Sequence, residues 1–244
     1  MPSATAEKES ESAHVVNIDV EDNIETKVEV PVENMTEGTV AVKVNEDGTE
    51  EVIKNSLMGK EGVVITVEGS ATVKIVDRSK DFDDVAEGYW GEDAITFATS
   101  RELFAGTSES TFSPESDMTR AMVWTVLARF DGVDTTSGST WYEAGQKWAV
   151  ENGISDGTNP DSSISREQLV AMLYRYAGTP EAAGSTADFK DSLAISDYAQ
   201  KAMIWAYENG IISGMGDGTI NPQGKATRAQ VATIMMNFVE YSNK

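Results

Sequence analysis

The chain has 244 residues and a formal net charge of −22, from 19 basic and 41 acidic side chains, with 40% hydrophobic and 8% aromatic residues. That composition supports real hydrophobic cores and one to three domains. The charge argues against nucleic acid, which proteins bind by displacing counterions from phosphates, and against anionic membrane surfaces.

There is no cysteine, so disulfides and thiol chemistry are excluded, and the single histidine, His14, cannot serve a Ser-His-Asp triad or a histidine metal site. No apolar run approaches the roughly 20 residues that span a bilayer. The N-terminal stretch "MPSATAEKESESAH" lacks the apolar segment of a signal peptide. Residues 1–13 read as a disordered lead-in, because they offer almost nothing to bury.

From residue 14 to 80 the pattern is β-type. "HVVNIDV", "TKVEVPV", "GTVAVKV", "EEVIK", "GVVITV" and "ATVKIV" alternate apolar and polar residues, as half-buried strands do. "NEDGT" at 45–49 carries an Asp-Gly hairpin signal, and "EGS" at 68–70 a second turn. The expectation is a small β-domain, a sandwich or a meander of five or six strands.

From Asp81 onward apolar residues take helical spacing, and the segment repeats. Trp90 and Trp141 are 51 residues apart (141 − 90), as are Ala98 and Ala149 (149 − 98) and Gly106 and Gly157 (157 − 106). Gly214 and Ala206 follow Gly106 and Ala98 at 108 residues (214 − 106; 206 − 98). Proline precedes a motif arginine by six residues in each copy: Pro114 and Arg120, Pro160 and Arg166, Pro222 and Arg228. Each copy reads as helix, loop, helix, over 81–134, 135–184 and 185–244. The first helices are expected near 90–101, 141–151 and 198–208. The second helices start at the Thr or Ser before the arginine, and Ser165 with Gln168 and Thr227 with Gln230 have capping-box form. Met122 takes the Gln place in the first copy, leaving Thr119 a simple cap.

At these residues the chain resembles the S-layer homology (SLH) domain family. The resemblance rests on "FDDV…YW…AITFA…LFAGTSESTFSPESDMTRA" and "DFKD…YAQKAMIWAYENGIISGMGDGTINPQGKATRAQ", and three copies would cover residues 81–244. It departs from the family pattern where the second copy has "SGSTWYEA" for the aromatic-Asp-Val opening. That copy also has 9 residues from Gly157 to Arg166, against 14 between the matching pairs. The first copy has "RELFAG" and Met122, and the third has Tyr198 for the usual Trp.

The resemblance implies an α+β protein, with the β-domain followed by a helical pseudo-trimer of the three repeats. It implies the C-terminal anchoring unit of an extracellular bacterial surface protein, acting in the cell wall or S-layer. The partner would be a secondary cell-wall polymer with a pyruvylated amino sugar, bound in grooves between repeats. Neither catalysis nor a cofactor is implied, and a lattice-assembly module acting through protein–protein contacts, including self-assembly, is the alternative.

Arg120, Arg166 and Arg228 are the expected ligand-binding cations. A guanidinium is unfavourable beside a helix N-terminus until a carboxylate sits between them, which its fork can grip bidentately. Trp90 and Trp141 could stack on a sugar or fill the core. Phe97, Trp148 and Trp205 share one repeat position and read as core. Gly106, Gly157 and Gly214 could let a sugar approach the backbone, while Gly153 and Gly210 read as helix C-caps.

Overall fold

The computed structural model describes residues 4–7, 14–21 and 24–243. The fold is α+β, with β-strands in the N-terminal part and six α-helices after them. Residue contacts group it into two compact units, Met1–Phe112 and Ser113–Lys244.

The first unit holds eight strands: β1 (Ala4–Glu7), β2 (His14–Ile18), β3 (Glu25–Pro31), β4 (Thr39–Val44), β5 (Glu50–Val52), β6 (Leu57–Met58), β7 (Gly62–Glu68) and β8 (Ala71–Asp77). They form two antiparallel sheets, ordered β1-β2-β8-β4-β5 and β3-β7-β6. Of the two forms expected, this is the sandwich. Val16, Ile18, Ala41, Val73 and Ile75 of the larger sheet bury against Val30, Val63, Ile65 and Val67 of the smaller one. All but Ala41 come from the apolar phase of an alternating strand; in β4 that phase, Val40 and Val42, buries on the other face with Val52. The Asp-Gly hairpin joins β4 to β5, with Gly48 at φ 82°. The "EGS" turn carries the chain from one sheet to the other, since β7 and β8 do not pair. Ala4–Glu7, within the lead-in expected to be disordered, pair along β2. A sheet edge offers unpaired backbone groups, so a short strand can form there with few apolar side chains. The rest of the lead-in lies outside the described residues.

The same unit contains helix α1 (Glu92–Ser100). Its C-terminus is fastened to the sandwich by Arg101, which is fully buried. The guanidinium donates to the carbonyls of Ser56 (2.9 Å), Glu37 (2.9 Å) and Thr39 (3.4 Å), and lies 3.7 Å from the centre of the Phe97 ring. Burial lowers its pKa to about 10, against the opposing pull of Glu37.

The second unit holds α2 (Arg120–Phe130), α3 (Glu143–Glu151), α4 (Arg166–Tyr176), α5 (Gln200–Glu208) and α6 (Arg228–Ser242). Helices α2, α4 and α6 begin at the three motif arginines. Thr119, Ser165 and Thr227 cap them, and only the last two complete a capping box, which satisfies two orphan N–H groups instead of one.

Two closed arrangements tie these helices together. Just before the caps, three extended segments pair in a ring. The N–H of Met118 donates to Ala226, that of Ala226 to Ile164, and that of Ile164 back to Met118, at 2.8–3.0 Å. All three side chains are buried. At the other end, Phe130, Tyr176 and Phe238 meet in a triangle with ring centroids 5.8–6.1 Å apart. Each stands ten residues after a motif arginine. Trp148 and Trp205 pack on the same aromatic cluster, as their repeat position predicts. Asp131 accepts from both Trp148 Nε1 and the Tyr176 hydroxyl, and the Tyr176 pKa is pushed up, first by burial and then by that carboxylate.

Candidate functional site at the motif arginines

The chain reaches each motif arginine through a short extended segment, then caps and enters the helix. The guanidinium therefore points across from the start of one helix to the loop after another. Arg120 Nε donates to the Thr158 carbonyl (2.9 Å), and Nη2 to Ser155 Oγ (3.0 Å) and Asp156 Oδ1 (2.6 Å). Its side chain is 13% exposed and sits 5.5 Å from the Trp124 ring. Arg166 is 5% exposed, with Nε on the Ile220 carbonyl (3.0 Å) and Nη2 on that of Ser213 (2.8 Å). Burial lowers its pKa, and Asp191 opposes this. Arg228 is buried as well, with Nη1 3.9 Å from Met118 Sδ. The carboxylate expected in the fork of Arg120 is thus supplied by the protein itself. The Asp156 carboxyl is held below its usual range, first by the Thr158 backbone N–H and also by Arg120.

The backbone at these helix starts is equally fixed. The N–H groups of Arg120 and Ala121 donate to Ser162 and Pro160, those of Arg166 and Glu167 to Gly224 and Pro222, and those of Arg228 and Ala229 to Ser116 and Pro114. The prolines six residues before each arginine are therefore the acceptors for the first turn of a different helix. This answers most of the orphan-donor problem at those termini.

A cleft of about 440 Å³ opens beside Arg120. The loop at Gly153, Ser155 and Asp156 forms one wall, and Gln168, Met172 and Arg175 of α4 another. Tyr198, in the 3₁₀ turn Asp197–Ala199, completes it. Arg175 is exposed, and its Nη1 donates to the Ile154 carbonyl (2.9 Å). The Tyr198 ring is more than half exposed, while its hydroxyl donates to Glu167 Oε1 (3.0 Å). Glu167 is buried and also accepts from the Ser196 N–H and hydroxyl and from Gln223 Nε2. Burial, then this carboxylate, raise the Tyr198 pKa to about 12. The cleft therefore combines an exposed cation, an exposed aromatic face and several fixed hydrogen-bonding groups. Such a mixture suits a polar, ring-shaped ligand.

The other expected site residues fall into different places. Trp90 and Trp141 are 59% and 55% exposed, so they are surface residues and not core. Each leans on its neighbouring tyrosine, Tyr89 or Tyr142. Gly106 and Gly214 pack tightly within their own loops, where a Cβ would lie 2.9 Å from the Phe82 ring and 2.7 Å from that of Phe189. Gly157 adopts φ 70°, and its carbonyl accepts from Gln146 Nε2. Gly153 and Gly210 take φ 67° and 72°, as expected of C-caps. Sequence reasoning missed Arg175, Gln168, Met172 and Glu167. The signal for Arg175 lay in counting nine residues from each motif arginine.

The family model of the S-layer homology domain matches residues 81–121 and 188–232. Over those two segments the chain is similar to the S-layer homology domain. They contain Trp90, Gly106, Arg120, Gly214 and Arg228. The chain is 30% identical over 183 residues, 67% of its length, to the amylopullulanase of Thermoanaerobacterium thermosulfurigenes, covering 10% of that protein. It is 28% identical over 63% of its length to the S-layer protein sap of Bacillus anthracis, covering 20% of it. It is 27% identical over 53% of its length to the cellulosome-anchoring protein of Acetivibrio thermocellus, covering 33% of it. The chain thus spans a tenth to a third of the length of these relatives. Among the described residues, no helix is long and apolar enough to cross a membrane.

Proposed function

We propose that residues 81–244 form a three-repeat SLH unit that holds a surface protein non-covalently on the bacterial cell wall. The middle segment, 135–184, counts as the third repeat. Its support is that Ile164 takes an equal part in the backbone ring with Met118 and Ala226, and Tyr176 an equal part in the aromatic triangle. Both closures favour a pseudo-trimer of the repeats.

The ligand is a secondary cell-wall polymer bearing a pyruvylated amino sugar. The cleft at Arg120 is the observation that carries this reading, because it offers a cation and an aromatic face in a concave polar site. Arg120, Arg166 and Arg228 frame the grooves by fixing the loops. Gly106, Gly157 and Gly214 shape those loops, and Trp90 and Trp141 offer exposed faces to sugar rings. The net charge of −22 opposes long-range attraction of an acidic polymer. Recognition is then local, which a Debye length of about 8 Å at physiological salt permits. The working place of the protein is the cell surface.

The test is co-sedimentation of the chain with purified wall sacculi, before and after hydrofluoric acid strips their polymer. Binding that disappears with the polymer is expected. Equal binding to both preparations overturns the anchor and leaves lattice assembly through protein contacts.

A further inference from the structure

We infer that Arg175, and not a motif arginine, reads the ligand's charge, and that of the sites beside Arg120 and Arg166 only the first is built for an anion. The ligand class is a sugar carrying a carboxylate, so the inference rests on the wall-polymer reading above.

The motif arginines have little left to give. Arg120 already holds the Asp156 carboxylate, the Ser155 hydroxyl and the Thr158 carbonyl. Arg166 is buried with two donors fixed on backbone carbonyls. A guanidinium so placed is loop scaffolding, and a ligand would have to break those bonds to reach it.

Arg175 is the opposite case. It stands in the last turn of α4, where the helix dipole favours a cation. One N–H on the Ile154 carbonyl orients it along the cleft. Among the described residues it makes no other hydrogen bond or ion pair, so the rest of its donor fork faces the opening. Tyr198 lies close enough to feel both Arg175 and Arg120 electrostatically. A sugar ring on the Tyr198 face would bring a pendant carboxylate to Arg175.

The molecule contains its own control. Nine residues after the motif arginines stand Arg129 (129 − 120), whose Nε is on the Thr135 hydroxyl, Arg175 (175 − 166) and Asn237 (237 − 228). Asn237 Nδ2 donates to the Ile211 carbonyl (3.3 Å), as Arg175 does to Ile154. Ile154 and Ile211 correspond, being 57 residues apart like Trp148 and Trp205 (211 − 154; 205 − 148). The bracing contact is kept and the charge is gone. By the same shift Ser155 and Asp156 become Ile212 and Ser213. Of these positions beside Arg166, none is charged.

The test is calorimetric titration of the whole chain with N-acetylmannosamine methyl glycoside, with and without its pyruvate ketal. Arg175→Asn should weaken binding of the ketal sugar on the order of tenfold or more, the loss of one charge-assisted contact. The plain sugar should bind wild type and variant alike, and the melting temperature should not move, since Asn keeps the Ile154 contact. Arg175→Lys should recover part of the affinity. Equal binding of the ketal sugar to Arg175→Asn and wild type overturns the assignment and leaves the anchor reading intact. So does a wild type that ignores the ketal while still binding sacculi in a polymer-dependent way. Polymer-independent sacculus binding is the separate result that removes the reading underneath.

Discussion

Glu102 occupies the left-handed region at φ 59°, where the matching positions are Gly153 and Gly210. A side chain there costs about 1 kcal/mol or more relative to glycine. Its ion pair with Arg78 (2.7 Å) joins two substantially exposed side chains and returns little. Glu102→Gly should therefore raise the melting temperature modestly, offset in part by glycine's greater freedom when unfolded. A fall on differential scanning calorimetry would show that the Arg78 pair outweighs the backbone strain. Residue type in sequence told little at this scale. Trp148 and Trp205 could be placed in the core because helical periodicity carries burial. Trp90 and Trp141 could not, because they precede their helices, where periodicity has no phase. Arg175 looked like an ordinary last-turn helix cation. Only the donors left unused in three dimensions separate it from Arg120.

At the scale of elements, the C-terminus of α1 differs from those of α3 and α5. The latter end in Asn152 and Asn209, whose Nδ2 groups cap the carbonyls of Trp148 and Trp205. In α1 the matching residue is Arg101, whose Nη1 likewise reaches the carbonyl of Phe97 (3.2 Å) while its fork also binds the carbonyls of Ser56, Glu37 and Thr39 in the sandwich. Arg101→Asn would keep the contact with the Phe97 carbonyl and take the donor away from the carbonyls of Ser56, Glu37 and Thr39. A lost buried partner costs roughly 1–3 kcal/mol per group left unsatisfied. The expected result is a lower melting temperature and early proteolytic cleavage in residues 33–38 and 53–57, with the far-ultraviolet spectrum preserved. Unchanged protease resistance would mean that the sandwich and α1 hold together without the guanidinium. The elements themselves were largely legible. Six strands and six helices fall close to their expected ranges, because alternation and helical spacing survive folding. β6 was missed, being two residues long and without a pattern to read. β1 was missed because backbone pairing alone makes it.

For the molecule as a whole, acid should act through a recurring turn. Asp47, Asp134 and Asp217 each accept from the hydroxyl and N–H of a threonine two residues on, and this holds their carboxyls below the usual range, the hydroxyl bond being the larger cause. Asp156 is lowered chiefly by the Thr158 N–H. A depressed folded pKa stabilises above the unfolded value, near 4, and the benefit is lost as pH falls through the folded value. The melting temperature should therefore hold as pH is lowered to about 4 and drop below that. Added salt at pH 7 should raise the transition by screening the self-repulsion of a −22 chain. A melting temperature indifferent to salt would show that the charges are already spread too far apart to repel. The three-copy pattern was visible in the sequence as offsets. The closure was not, because a ring of three backbone bonds leaves no side-chain signature.

That ring also sets an order in time. Met118 waits for Ala226, and Ala226 for Ile164, so no two of the segments complete the cycle alone. A chain emerging N-terminus first can pair Ile164 with Met118 well before Ala226 is there to close the ring. Contacts across such separations are slow to form and leave apolar surface uncovered meanwhile. Exchange protection at Ile164, whose N–H donates to Met118, would then precede protection at Met118, whose own N–H needs Ala226. The segment at Ala226 therefore finishes what the one at Met118 begins.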